Sequence, residues 1–142
     1  MTLALRVGLS VLALIELVLG VWTLCFPESF YRDVPTVSLT PPYSEHLFRD
    51  FGGATLGVAI VLAAAAVWPE TRLVIIALLA YLAFSVPHLV FHLGHLQAAT
   101  AAEAALLTTG LVGLVVLPLA LIVVAVVRAR RTSSSAEAAE HR

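Results

Sequence analysis

Four apolar stretches, each long enough to cross a lipid bilayer as a helix, leave this chain little choice of fold. They run over 3–26, 45–68, 71–96 and 103–127, and a spanning helix needs about 20 apolar residues. Inside hydrocarbon every backbone N–H and C=O must be satisfied within the segment, so stretches of this kind are helical. The fold class predicted is therefore all-α: a four-helix transmembrane bundle over 1–128, in contact with a lipid bilayer. A hydrophobic content of 61% and a mean hydropathy of +1.01 lie far outside the range of soluble domains.

The breaks between stretches carry recognisable signals. Pro27 ends the first, Trp68-Pro69-Glu70 turns between the second and third, and 97–102 links the third to the fourth. Arg6 ahead of an apolar run resembles the start of a secretory leader. The run is too long for one, lacks an Ala-x-Ala cleavage site and contains Glu16, so it is taken as a span.

Arginine placement sets the expected direction, because cytoplasmic segments retain positive charge. Arg6, Arg72, Arg128, Arg130 and Arg131 fall on one side of a four-span topology, against Arg32 and Arg49 on the other. Both termini are expected in the cytoplasm, and the protein in the cell (cytoplasmic) membrane as a multi-pass protein. The segment 129–142, rich in Ser, Ala and Glu, cannot bury a core and is expected to be a disordered cytoplasmic tail.

The connection 27–44 is then extracytoplasmic. Pro27, Pro35, Pro41 and Pro42 lower the entropy cost of ordering it, and Phe30, Tyr31 and Tyr43 suit an interface. Two roles fit it equally: a semi-rigid cap over the outer mouth of the bundle, or a spacer along the headgroups.

Several function classes drop out on composition. A net charge of −1 with no long basic run gives no footprint for nucleic acid. The lone Cys25 cannot form an intrachain disulfide, and with Met1 the only thioether there is no soft sulfur cage. Any metal here must rest on imidazole and carboxylate.

Small residues mark expected helix contacts, since apolar side chains gain nothing by leaving lipid for protein. Gly53 and Gly57 form such a pair on the second span, and Gly110 and Gly113 on the fourth. At about 100° per residue, His46, Asp50, Gly53 and Gly57 share one stripe, which is expected to face the bundle and carry His46 and Asp50 inward. Glu45 and Arg49 lie on the neighbouring stripe as an i, i+4 ion pair, with Ser44 as N-cap.

On the third span Tyr81, Ser85, His88, His92 and His95 share a face, with Phe84 and Phe91 at its edge. Polar groups in register at membrane depth are expensive and usually have a task. Pro87 removes one backbone hydrogen bond beside them and predicts a kink. By helical rise, Asp50 lies about 8 Å below the outer end of its span and His88 about 12 Å below its own, so the two sets overlap in depth. Glu16, on a face with Gly20 and Thr23, sits near the midplane and would close the floor of the same cavity.

Imidazole and carboxylate are standard donors to divalent iron, zinc or manganese. The expected metal site is His88, His92 and His95, completed or oriented by Asp50 and His46, with Glu16, Glu45, Arg49 and Tyr81 in support. The same residues also suit other roles: haem held between His46 and His88 or His92, with electron transfer to or from a quinone; a proton relay through Glu16, Asp50 and His88; or hydrogen bonds that merely tie helices together. The residues thus leave two broad roles open, membrane-level oxidoreduction on a lipid-soluble substrate and a non-catalytic subunit that holds a partner protein or a second copy.

The first span ending at Phe26-Pro27, then Glu45-His46-Leu47-Phe48-Arg49-Asp50-Phe51-Gly52-Gly53 opening a second span that continues through Leu56-Gly57, resembles small four-helix bacterial membrane proteins of the DoxX-like superfamily, in particular actinobacterial members. The resemblance implies a compact four-helix bundle in the cytoplasmic membrane and, for some relatives, an association with quinone-linked oxidation. The segment Pro87-His88-Leu89-Val90-Phe91-His92-Leu93-Gly94-His95 is richer in histidine than that grouping leads one to expect.

Overall fold

The computed structural model describes residues 2–39 and 42–140, and its regular elements are all helical. In chain order they are α1 (Thr2–Cys25), α2 (Pro27–Asp33), a 3-10 turn (Val37–Leu39), α3 (Glu45–Val67), α4 (Thr71–Leu93) and α5 (Ala101–Glu140). Helices α1, α3, α4 and α5 are each long and apolar enough to cross a membrane. They form an up-down-up-down bundle with one end bearing α2, here the cap end, and the other bearing the N-terminus and the α3–α4 turn.

The closest approach is between α1 and α3, and two glycines make it. A Cβ on Gly52 would stand 2.6 Å from the Leu24 N and 2.9 Å from the Gly20 carbonyl oxygen, so the two backbones touch there. Gly8 plays the same part for α5, with the Leu121 side chain filling the space a Cβ would take. Gly53, Gly57, Gly110 and Gly113 have nothing within 4 Å of that position. The expectation that the Gly53/Gly57 stripe faces the bundle is therefore corrected. The inward stripe of α3 is Phe48, Gly52, Thr55, Ala59, Leu62 and Ala66, nearly opposite on the helical wheel. Packing in lipid is decided by which small residue meets a backbone, and Gly52 sits one position away from the pair the spacing favours.

Leu5, Leu9, Leu12, Leu62, Leu78, Leu121 and Ala125 build an apolar core towards the terminal end. Towards the cap end α5 stands off, and none of its residues from 101 to 117 is buried. The outer faces carry Leu3, Ile60, Ile76, Leu106 and Val123, all well exposed, as a surface in contact with lipid acyl chains requires. Trp22 near the cap end and Trp68 at the opposite end stand where interfacial aromatics anchor a bundle.

Local chemistry explains the helix ends. Ser44 caps α3 by accepting from the Leu47 N–H, as the sequence predicts. Thr100 and Glu103 form a reciprocal capping box at α5: the Thr100 N–H donates to Glu103 Oε2 at 2.8 Å and the Glu103 N–H to Thr100 Oγ1 at 3.3 Å. Helix α4 ends at Leu93, short of the predicted 96, with Gly94 at its C-cap. Helix α5 runs on to Glu140, through most of the segment 129–142 whose composition predicts disorder; 141–142 lie outside the described residues. Ala, Arg and Glu are strong helix formers, and extending an existing helix needs no new nucleus.

The connection 27–44 contains the unpredicted helix α2, with Pro27 in its first turn, and it is held down by an aromatic cluster. Phe48 is buried, with the rings of Phe30, Tyr31 and Tyr43 each within 6 Å of its own. The Trp22 indole meets Phe30 edge-on at 5.6 Å and donates to Ser29 Oγ, which donates in turn to Asp33. Arg32 closes the chain with a two-pronged contact to the Asp33 carboxylate, holding that carboxyl below its ordinary range, with the Ser29 bond adding to the effect. Burial among its neighbours pushes the Tyr43 phenol up. Among the described residues α2 is thus a cap that packs on α1 and α3 alone of the spanning helices. Among those residues α2 makes no contact with α4 or α5, and it leaves their half of that end uncovered.

Candidate functional site

The histidines of α4 lie at that open half. Tyr81, Ser85, His88 and His92 follow one another at spacings of four, three and four, which returns each to the same helical face. Tyr81 and Ser85 are buried while His88 and His92 are half-buried, so the file emerges from the core as it climbs. Pro87 lies inside α4, which continues through it to Leu93.

His88 stacks on Phe84 with centroids 5.1 Å apart, and Phe84 packs against Phe51 of α3 at 5.5 Å. His92 meets His88 edge-on at 4.5 Å and Phe91 at 5.4 Å. The result is a surface of phenyl and imidazole rings, furnished with ring nitrogens.

His95 departs from the expected arrangement because α4 stops two residues before it. Its ring lies on Phe91 at 4.1 Å, and its Nδ1 is 2.7 Å from the Phe91 carbonyl oxygen. A carbonyl can only accept, so Nδ1 carries the proton. His95 is exposed and does not complete a stack of three imidazoles with His88 and His92.

His46 and Asp50 lie elsewhere. They pair with each other, Nε2 to Oδ2 at 3.3 Å, and their side chains are 88% and 65% exposed. Both lie on the outward stripe of α3 with Gly53 and Gly57, which corrects the expectation that they point inward. His46 therefore does not stand across the bundle from His88. Glu45 and Arg49 form the predicted i, i+4 pair, with Arg49 Nε 2.9 Å from Glu45 Oε1. Arg49 also donates from Nη1 to the Leu24 carbonyl oxygen at 2.6 Å. That carbonyl is among the last four of α1, which lack a partner within their own helix, so Arg49 ties the end of one span to the start of the next. The spacing reveals the ion pair but not this cross-helix bond.

Deeper in the bundle stands Glu16, only 2% exposed, on the inward face of α1. Tyr81 of α4 is 1% exposed. One turn further along α4, Ser85 Oγ is buried with no hydrogen-bond partner. Glu16 lies near the middle of α1, while the His46–Asp50 pair stands apart on the outward stripe of α3.

Among the described residues no three His, Cys, Asp or Glu side chains come together so that they could hold a metal ion. The donor set expected from spacing is split three ways, with His88 and His92 on the file, His95 turned onto Phe91, and Asp50 with His46 on the outer face.

A scan against protein-family models finds no match for the chain, and neither the curated proteins nor the solved structures contain one that matches.

Proposed function

We propose that this multi-pass membrane protein binds the ring headgroup of a lipid-soluble carbonyl compound, of the quinone class, at the open α4–α5 half of its cap end, and serves membrane-level oxidoreduction there. The observation that carries the reading is the ring surface Phe84–His88–His92–Phe91, with each contact between 4.5 and 5.4 Å, on the half of the bundle that α2 leaves uncovered. Aromatic flanks stack on a planar headgroup, and an imidazole N–H hydrogen-bonds a carbonyl oxygen without introducing a fixed charge. Standing at membrane depth, the site can take a ligand directly from the bilayer. The resemblance to DoxX-like proteins points to the same chemistry.

The arginines support an orientation with both termini in the cytoplasm, which places the cap and the histidines near the outer surface of the cytoplasmic membrane. A divalent metal on the same histidines is the second reading. It is favoured by the meeting of the His88 and His92 rings at 4.5 Å, two donors one turn apart on the same face.

One experiment tests both. Protein purified in mild detergent is titrated with a short-chain ubiquinone and analysed for metal and co-purified lipid, wild type beside His92→Ala and His88→Phe. Saturable binding weakened about tenfold or more by His92→Ala, the equivalent of one hydrogen bond to the headgroup, supports the quinone reading. Stoichiometric metal lost in the same variants redirects it to the second. Binding unchanged in both variants, with no metal, refutes both and leaves the histidines as helix contacts.

A further inference from the structure

The ring surface proposed above lies on the α4–α5 half of the cap end, and the other half holds a pocket that it does not use. At the junction of α1, α2 and α3, a pocket of about 340 Å³ opens between Cys25, Glu28, Arg32, Tyr43, Glu45 and Arg49. The three elements touch one another, and the bond from Arg49 Nη1 to the Leu24 carbonyl oxygen at 2.6 Å holds the start of α3 against the end of α1. The first apolar span ends at Cys25, so the pocket stands where the hydrocarbon gives way to headgroups.

Four of these side chains are charged, two of each sign, and they do not exhaust one another. Glu28 stands four residues before Arg32, a spacing at which acid and base ordinarily pair on a helix. Arg32 instead grips Asp33 through Nε and Nη2. Among the described residues the Glu28 carboxylate has neither a hydrogen bond nor an ion pair, and Arg32 Nη1 has no partner. Arg49 spends Nε and one Nη2 hydrogen on Glu45 and one Nη1 hydrogen on Leu24, which leaves one N–H on each terminal nitrogen. Guanidinium groups with N–H to spare recognise phosphate oxygens, and an unpaired carboxylate accepts from an ammonium. A ligand with a phosphate alone would leave Glu28 unpaired and bring an anion up to Asp33, directly behind Arg32. A ligand that carries both charges satisfies both sets.

The exposed side of α1 continues the pocket as an apolar track. Cys25, Val21, Val18 and Leu14 follow one another at spacings of four, three and four, and all are exposed. From Cys25 to Leu14 the track runs about 17 Å along the helix, roughly the depth of one leaflet.

We propose that this pocket is a headgroup site for an aminophospholipid, with the phosphate on the spare N–H groups of Arg32 and Arg49, the primary ammonium on Glu28 and an acyl chain along the α1 track. A soluble phosphate ester of an amino alcohol has the same headgroup chemistry but no use for the track. Because the lining comes from α1, α2 and α3, the bound lipid also fastens the cap to the two spans beneath it.

The test uses the whole protein, delipidated in mild detergent. Cys25 is the single cysteine of the chain, lines the pocket and is exposed, so its rate of alkylation by a water-soluble maleimide reports occupancy. Dioleoylphosphatidylethanolamine should slow the alkylation saturably, at a concentration about tenfold lower than dioleoylphosphatidylglycerol or soluble phosphoethanolamine. This selectivity is read on the wild type and needs no variant. Glu28→Gln should weaken phosphatidylethanolamine about tenfold and leave phosphatidylglycerol unchanged, while Arg32→Gln should weaken both about tenfold, the equivalent of one charge-assisted hydrogen bond. Both positions are exposed, and unchanged helical circular dichroism and elution would confirm that the variants fold. Equal protection by the two lipids, or protection unchanged in both variants, overturns the proposal. Protection by phosphoethanolamine at the concentration of the lipid overturns the bilayer as the source of the ligand. None of these outcomes depends on whether a quinone binds.

Discussion

Gly52 and Gly53 are neighbours in the chain, yet alanine should have opposite effects at the two. At Gly52 the new methyl would stand 2.6 Å from the Leu24 N, 2.7 Å from Thr23 Oγ1 and 2.9 Å from the Gly20 carbonyl oxygen. Two of these are backbone atoms, and the Thr23 hydroxyl is itself held by the Leu19 carbonyl oxygen at 2.7 Å. Relief requires α1 and α3 to separate locally by about 0.8 Å, and overpacking of this kind costs about 1–3 kcal/mol. With no side chain free to swing aside, the upper end applies, offset by up to about 1 kcal/mol of helix propensity gained. At Gly53 nothing lies within 4 Å, so only the propensity gain remains. Gly52→Ala should therefore lose about 2 kcal/mol and Gly53→Ala gain up to about 1. Gly20→Ala should fall between, since its closest obstacle is the flexible Leu56 side chain at 2.8 Å. Reversible unfolding in mixed detergent micelles, followed by circular dichroism, measures all three. If Gly52→Ala and Gly53→Ala agree within about 0.5 kcal/mol, the spread expected of ordinary surface positions, then α1 and α3 do not meet at Gly52 and the account of the fold is wrong.

Two further predictions concern the cap. Phe48→Ala should cost about 3 kcal/mol, the low end for a buried phenylalanine, and release α2 while leaving α4 and α5 intact; amide exchange should quicken at Val34, whose N–H bonds the Phe30 carbonyl oxygen, and stay slow in the core. The Asp33 carboxyl, held low by Arg32 and Ser29 in the folded cap, contributes order that is fully present above the ordinary aspartate value and is lost only as the pH falls through the depressed one. Its carboxyl carbon should titrate below the usual range by NMR, and Arg32→Gln should move that titration upward; a titration unmoved by the substitution would show the ion pair to be absent in solution.

The spanning helices were legible because length and apolarity are properties of a segment, and lipid leaves the backbone no alternative to intrahelical bonding. The same holds for Ser44 as a cap, for the Glu45–Arg49 pair and for the common face of Tyr81, Ser85, His88 and His92, since each depends on spacing within one helix. Helix α2 was not legible: seven residues between prolines carry no periodicity, and its order comes from rings supplied by α1 and α3.

What no single helix could reveal is which way its faces turn. In water the apolar face of a helix identifies itself; in hydrocarbon both faces are apolar, and orientation is decided by where two backbones fit closely. Gly52 against Gly20 made that choice, turning His46 and Asp50 outward with Gly53 and Gly57. Four helices and the polar groups on each follow from segment composition and spacing; the way each helix turns in the bundle buries Glu16, Tyr81 and Ser85 and leaves the histidines at an open edge.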